Sequence, residues 1–168
     1  RHLGFKGRFA EALDANDPAA VELWESVRRV EDLVLADPTI TASAIFKFFP
    51  CRSDGQNLII YNPDGAKELE RFYLGRQSQR DGLCLADYAL PQSAAPTLDY
   101  VALFATSIGP GVRPLADQWR DEGQFLNSHI LQALALEGAE AFAELLHQQI
   151  RQMWGIGDPA GITPQELF

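Results

Sequence analysis

The chain has 168 residues, of which 46% are apolar and 22% charged, and carries a formal net charge of −9. That length buries a core without disulfide or metal staples, and the composition is that of a folded globular chain, read as one domain over residues 1–168. With 14 Lys and Arg against 23 Asp and Glu, the charge balance argues against nucleic acid and membrane surfaces as partners, because both require clustered cations.

Arg1 to Arg8 is basic and broken by glycine, and reads as a segment arriving from upstream. The chain starts without methionine and ends at Phe168 just after a helix-start signal, as a piece of a longer protein would. No charged-then-apolar leader opens it, and the longest apolar run, Tyr100 to Ala105, is far too short to span a bilayer. Asp17-Pro18 supplies a cap acceptor followed by proline at the first helical position, where a missing N–H costs nothing. Leu23, Val27, Val30 and Val34 then mark one helical face, and Asp37-Pro38 stops it.

Ala44–Phe49 and Leu58–Tyr61 are short aromatic and β-branched runs around Asp54-Gly55, which predicts an antiparallel hairpin. After the turn Asn62-Pro63-Asp64-Gly65, Leu69, Phe72 and Tyr73 fall at helical spacing. Leu83–Tyr88 and Asp99–Ser107 read as strands, the second apolar enough to be central in a sheet. The cysteines, Cys51 and Cys84, are read as buried free thiols in a reducing, cytoplasmic compartment rather than as a disulfide.

Gly109-Pro110-Gly111 launches a helix from about Val112 to Asp121. The longest element follows: Asn127 to Trp154, uninterrupted by proline, is a helix of roughly 40 Å. Leu131, Leu134, Gly138, Phe142 and Leu145 share one face, and Glu137, Glu140, Glu144, His147 and Arg151 another. Thr163-Pro164-Gln165-Glu166 has the capping-box pattern of one more helix. Together these elements predict an α+β fold, an antiparallel twisted sheet flanked by helices with one long helix in the C-terminal half.

Motifs for chemistry are sparse. Gly109-x-Gly111 lacks the third glycine of a dinucleotide fingerprint, because position 114 is Pro. Glu144-x-x-His147 has di-iron ligand spacing, but neither His2 nor His129 supplies a second such pair. Neither cysteine and no serine sits in a nucleophile motif. The glutamate stripe reads as a solvated helix face, or as a carboxylate facing a cleft that takes an ammonium- or sulfonium-bearing ligand. Spacing leaves both open.

The run Ala139-Glu140-Ala141-Phe142-Ala143-Glu144-Leu145-Leu146-His147, followed by Ile150-Arg151 and Trp154-Gly155, resembles a signature of the activation domain of cobalamin-dependent methionine synthase. Phe48-Phe49-Pro50, Arg76-Gln77, Cys84-Leu85-Ala86-Asp87-Tyr88, Asp99-Tyr100 leading Phe104-Ala105-Thr106, Asn127 and Gln165-Glu166-Leu167 fall in the family's order, and Gly7-Arg8-Phe9 is similar to its Gly-Lys-Tyr. The resemblance implies a non-Rossmann domain that binds S-adenosylmethionine and supports reductive methylation of cob(II)alamin. The cobalamin would be held by another domain of the same enzyme, and the electron would come from flavodoxin or a similar reductase. It implies Glu140 as a residue of the S-adenosylmethionine site, and no metal ligand or catalytic acid, base or nucleophile in this chain.

The family's Arg-x-Ala-Pro-Gly-Tyr-Pro motif would fall beyond Phe168 and its methionyl-binding aspartate before Arg1, so the match is to an incomplete domain. Residues 1–168 alone are therefore expected to bind S-adenosylmethionine weakly or not at all. Ala135-Leu136-Glu137 and Gln124-Phe125-Leu126 depart from the family's Ala-Asp-Arg and Asp-Asp-Tyr. An alternative is an interaction module that docks the reductase and the cobalamin domain without binding ligand. It would use local cations such as Lys6, Arg8, Arg71, Arg76 or Arg80.

Overall fold

The computed structural model describes residues 3–159 and 161, so the capping-box segment at Thr163 lies outside the described residues. The chain is α+β, and its contacts divide it into two compact units: residues 1–44 with 106–168, and residues 45–105.

The first unit is helical. A short helix that the sequence did not signal, α1 (Phe9–Asp14), precedes α2 (Pro18–Ala36). Phe9 stacks edge-on with Phe5 and tilts against Trp24 of α2, at centroid distances of 5.2 and 6.4 Å. The N-terminus of α2 is built as its sequence dictates: the Asp17 carboxylate accepts from the N–H groups of Ala19 and Ala20, at 3.0 and 3.1 Å. Two further helices, α3 (Val112–Asp121) and α4 (Phe125–Met153), complete the unit. Val30 of α2, Ile40, Ala116 and Trp119 of α3, and Ile130 and Leu131 of α4 form one buried cluster.

Ser128 ties α4 to α3 from inside that core, its buried hydroxyl donating to the Ala116 carbonyl at 2.8 Å. The predicted apolar stripe of α4 holds at Leu131 but not at Leu145, which is 48% exposed; Leu146 and Ile150 are buried instead. At about 100° per residue Leu145 still lies within about 40° of Leu131, so packing at the two ends, and not the helical period, moves the buried face.

The second unit carries a four-stranded antiparallel sheet, ordered β3-β2-β1-β4, formed by β1 (Ser43–Asp54), β2 (Asn57–Tyr61), β3 (Glu68–Tyr73) and β4 (Asp99–Ser107). The predicted β1–β2 hairpin is present with a tighter tip than expected: Asp54 pairs with Asn57 across Gly55-Gln56, and Gly55 has φ +59. Buried Ile59 and Ile60 of β2, Pro50 and Cys51 of β1, Cys84 and Ala86 are the apolar residues this unit hides from solvent. Both cysteines are free thiols, as expected.

Three expectations are corrected here. The segment with Leu69, Phe72 and Tyr73 is strand β3, not a helix. The turn after β2 is closed by Asn62 N–H to Lys67 O and Lys67 N–H to the Asn62 side chain, at 2.9 Å each, which sends the chain straight back along β2. A six-residue run satisfies either period, and pairing decides. Leu83–Tyr88 is not a strand but a loop with a 3-10 turn at Leu85–Tyr88, because Asp81 and Gly82, at φ +60 and +65, fold the chain before it can extend. Finally, β4 is an edge strand rather than a central one.

That long loop is strapped to β1. Ser53 donates through its N–H to Leu90 O and through its hydroxyl to Ala89 O, at 2.8 and 2.9 Å. The Arg52 guanidinium donates to the carbonyls of Pro96 and Thr97 at 2.8 and 3.2 Å.

Candidate functional site: the middle of the long helix

Helix α4 carries the candidate site residue. Glu140 is exposed at mid-helix, as are Glu137 and Glu144, so the stripe predicted from spacing is a solvent-facing one. Among the described residues Glu140 makes no ion pair, which leaves its carboxylate uncommitted.

The turn that bears Glu140 is held from behind. Thr106, where β4 ends, donates its hydroxyl to the carbonyl of Ala139 at 3.4 Å. Beside it Ile108 lies against Gly138, where an added Cβ would meet Ile108 Cδ1 at 3.4 Å. The same segment is pinned at its far end. Gly111 N–H donates to Thr39 O at 3.2 Å, and a Cβ on Gly109 would come within 2.6 Å of that carbonyl. The Gly109-Pro110-Gly111 turn is therefore glycine-bearing for close packing on the 39–41 segment that follows α2.

The lower end of α4 is closed by a Schellman turn. Gly155, at φ +80, donates to Gln152 O, and Ile156 donates to Arg151 O at 3.0 Å. The chain then folds back so that Asp158 meets Arg151 in a bidentate pair at 2.8 and 2.7 Å, with side chains only 11% and 21% exposed. The Arg151 guanidinium holds the Asp158 carboxyl below its usual range, helped by Gln148 and by the positive charge of His147. Arg151 thus leaves the functional stripe and becomes a structural clamp, which its spacing alone did not reveal. His147 is exposed, and the described residues contain no group of three or more metal-ligating side chains.

The cations offered for a docking surface are largely spent within the chain. Arg8 pairs with Glu11 at 2.7 Å, Arg71 with Asp54 and Glu68 at 2.8 and 3.1 Å, and Arg76 with Asp87 at 2.6 Å. Lys6 is exposed. In the second unit a groove of about 460 Å³ is lined by Ile45, Phe46, Phe49, Leu103, Phe104 and Lys47. The Lys47 ammonium lies 5.1 Å from the centre of the Phe49 ring. The apolar runs Ala44–Phe49 and Asp99–Ser107 were the signals in the sequence for that surface.

The chain is thus an α+β domain with a four-stranded antiparallel sheet, flanking helices and one long C-terminal helix, the fold of the MetH reactivation domain. Its family is specific: the model for the activation domain of vitamin B12 dependent methionine synthase matches residues 2–168, and the chain belongs to that family. Among solved structures it is similar to the MetH reactivation domain bound to AdoHcy, with a TM-score of 0.75 and 26% sequence identity. The match covers 89% of this chain and 48% of that one, so the chain spans about half the length of its structural relative.

Proposed function

We propose that this chain supplies part of an S-adenosylmethionine site and, within the longer enzyme, serves in the reductive methylation that returns cob(II)alamin to methylcobalamin in methionine synthase. The observation that carries the reading is the family match over residues 2–168, joined to a solved relative of the same fold with AdoHcy bound. The residues present suit such a ligand. S-adenosylmethionine carries an ammonium and a sulfonium, and Glu140 presents an uncommitted carboxylate on an exposed turn of α4. When bound, the ligand supplies the methyl group. Glu140 holds positive charge and orients it, and transfer of a methyl group itself requires no proton to be moved. The cobalamin belongs to another domain of the same enzyme, and a flavodoxin-like reductase delivers the electron.

Titration calorimetry with S-adenosylmethionine tests this on the intact protein. Glu140→Ala should weaken binding by about tenfold or more, the order expected when one charge-assisted contact is removed. Unchanged affinity in that variant would remove Glu140 from the site. Residues 1–168 alone should bind weakly or not at all, and micromolar affinity in that piece would overturn the expectation. The interaction-module reading predicts instead salt-sensitive reductase binding with no ligand binding. The internal pairing of Arg8, Arg71 and Arg76 weighs against it.

A further inference from the structure

We infer that Thr106 is a positioning residue for Glu140, acting through the backbone of α4 without touching the ligand; this rests on the reading of Glu140 given above. Thr106 meets the helical turn that carries Glu140 from a different side. The Thr106 hydroxyl bonds the carbonyl of Ala139, the residue before Glu140, from the half-buried side, while Glu140 faces solvent.

A long helix held only at its ends can roll and bow at its middle, and here the ends are well fixed: Ser128 to Ala116 at one, Arg151 to Asp158 at the other. Between them Thr106 and Ile108 also meet the middle of the helix. Ile108 packs on Gly138, where an added Cβ would meet it at about ordinary contact distance, 3.4 Å. Packing of that kind limits how near the segment comes, but an apolar contact has no direction and lets the helix turn about its axis. The hydroxyl bond does have direction, since it needs the Ala139 carbonyl at one azimuth. Fixing that azimuth fixes the heading of Glu140, one residue and about 100° further round.

Thr106→Val keeps the shape and removes the donor, whereas Thr106→Ser keeps the donor. In calorimetry of the intact protein with S-adenosylhomocysteine, Thr106→Val should weaken binding by about three- to tenfold, the range of a single hydrogen bond, and Thr106→Ser should recover most of it. The decisive arm is a double-mutant cycle. In a Glu140→Ala background Thr106→Val should have no further effect, because the residue it positions is gone. Equal, additive losses in both backgrounds would show a general structural role and overturn the proposal, as would wild-type affinity in Thr106→Val when Glu140→Ala has lost the ligand. Wild-type affinity in Glu140→Ala would instead remove the reading beneath it.

Discussion

Glu140 and Asp158 are both carboxylates associated with α4, and the fold uses them in opposite ways. Glu140 is left in solvent with its charge uncommitted, which suits binding, whereas Asp158 is nearly covered and locked to Arg151. The lock has a pH signature. The folded Asp158 titrates below its ordinary value of 3.8, so its contribution is complete above that value and drains away as pH falls through it toward the lower folded value. Thermal unfolding should therefore separate wild type from Asp158→Asn at pH 7, with the variant less stable, and the gap should close on acidification below about pH 4. A gap that persists unchanged well below that pH would mean the pair adds nothing through its charge.

Local chemistry also sets where the elements begin and end. Asp17 caps two N–H groups of α2, and Pro18 is already bent for the first turn. Asp17→Ala should cost about 1 kcal/mol in denaturant titrations, and Asp17→Asn far less, because the amide oxygen still caps. A full-size loss in the Asn variant would point to the negative charge at the helix N-terminus as the larger effect. Capping signals of this kind are local, which is why the start of α2 was legible from sequence to the residue. Strand and helix in the middle of the chain were less so. Leu69, Phe72 and Tyr73 fit both periods in a run of six, and only the register of β3 on β2, Tyr73 opposite Asn57 through Glu68 opposite Tyr61, settles it. The loop at Leu83–Tyr88 looks like a strand in sequence because the left-handed turn at Asp81 and Gly82, and Arg76, the ion-pair partner of Asp87, lie outside that window.

Across the whole molecule the probes of the two units are cleanly divided. Trp24, Trp119 and Trp154 all lie in the helical unit, and Cys51 and Cys84 both lie in the sheet unit. Burial raises the Cys51 thiol to about 11, with the nearby Asp99 charge adding to the effect, so it stays protonated and inert in the folded chain. Both thiols should be silent toward an aromatic disulfide reagent under native conditions and react on unfolding. The chain passes from one unit to the other inside β1 and β4, not through a glycine or proline linker. Thiol release and tryptophan emission should accordingly change at the same denaturant concentration. Two separated midpoints would show that the units melt independently.

The sequence by itself determined what depends on neighbours along the chain: the cap of α2, the helical period of α4, the β1–β2 hairpin, the inert cysteines and the colinear motifs that mark the family. Tertiary structure alone decided what depends on pairing at a distance. It made β4 an edge strand, turned Arg151 from a member of the acidic stripe into the partner of Asp158, and set Thr106 behind the turn that carries Glu140. Periodicity says which residues share a face, but only folding says what that face meets.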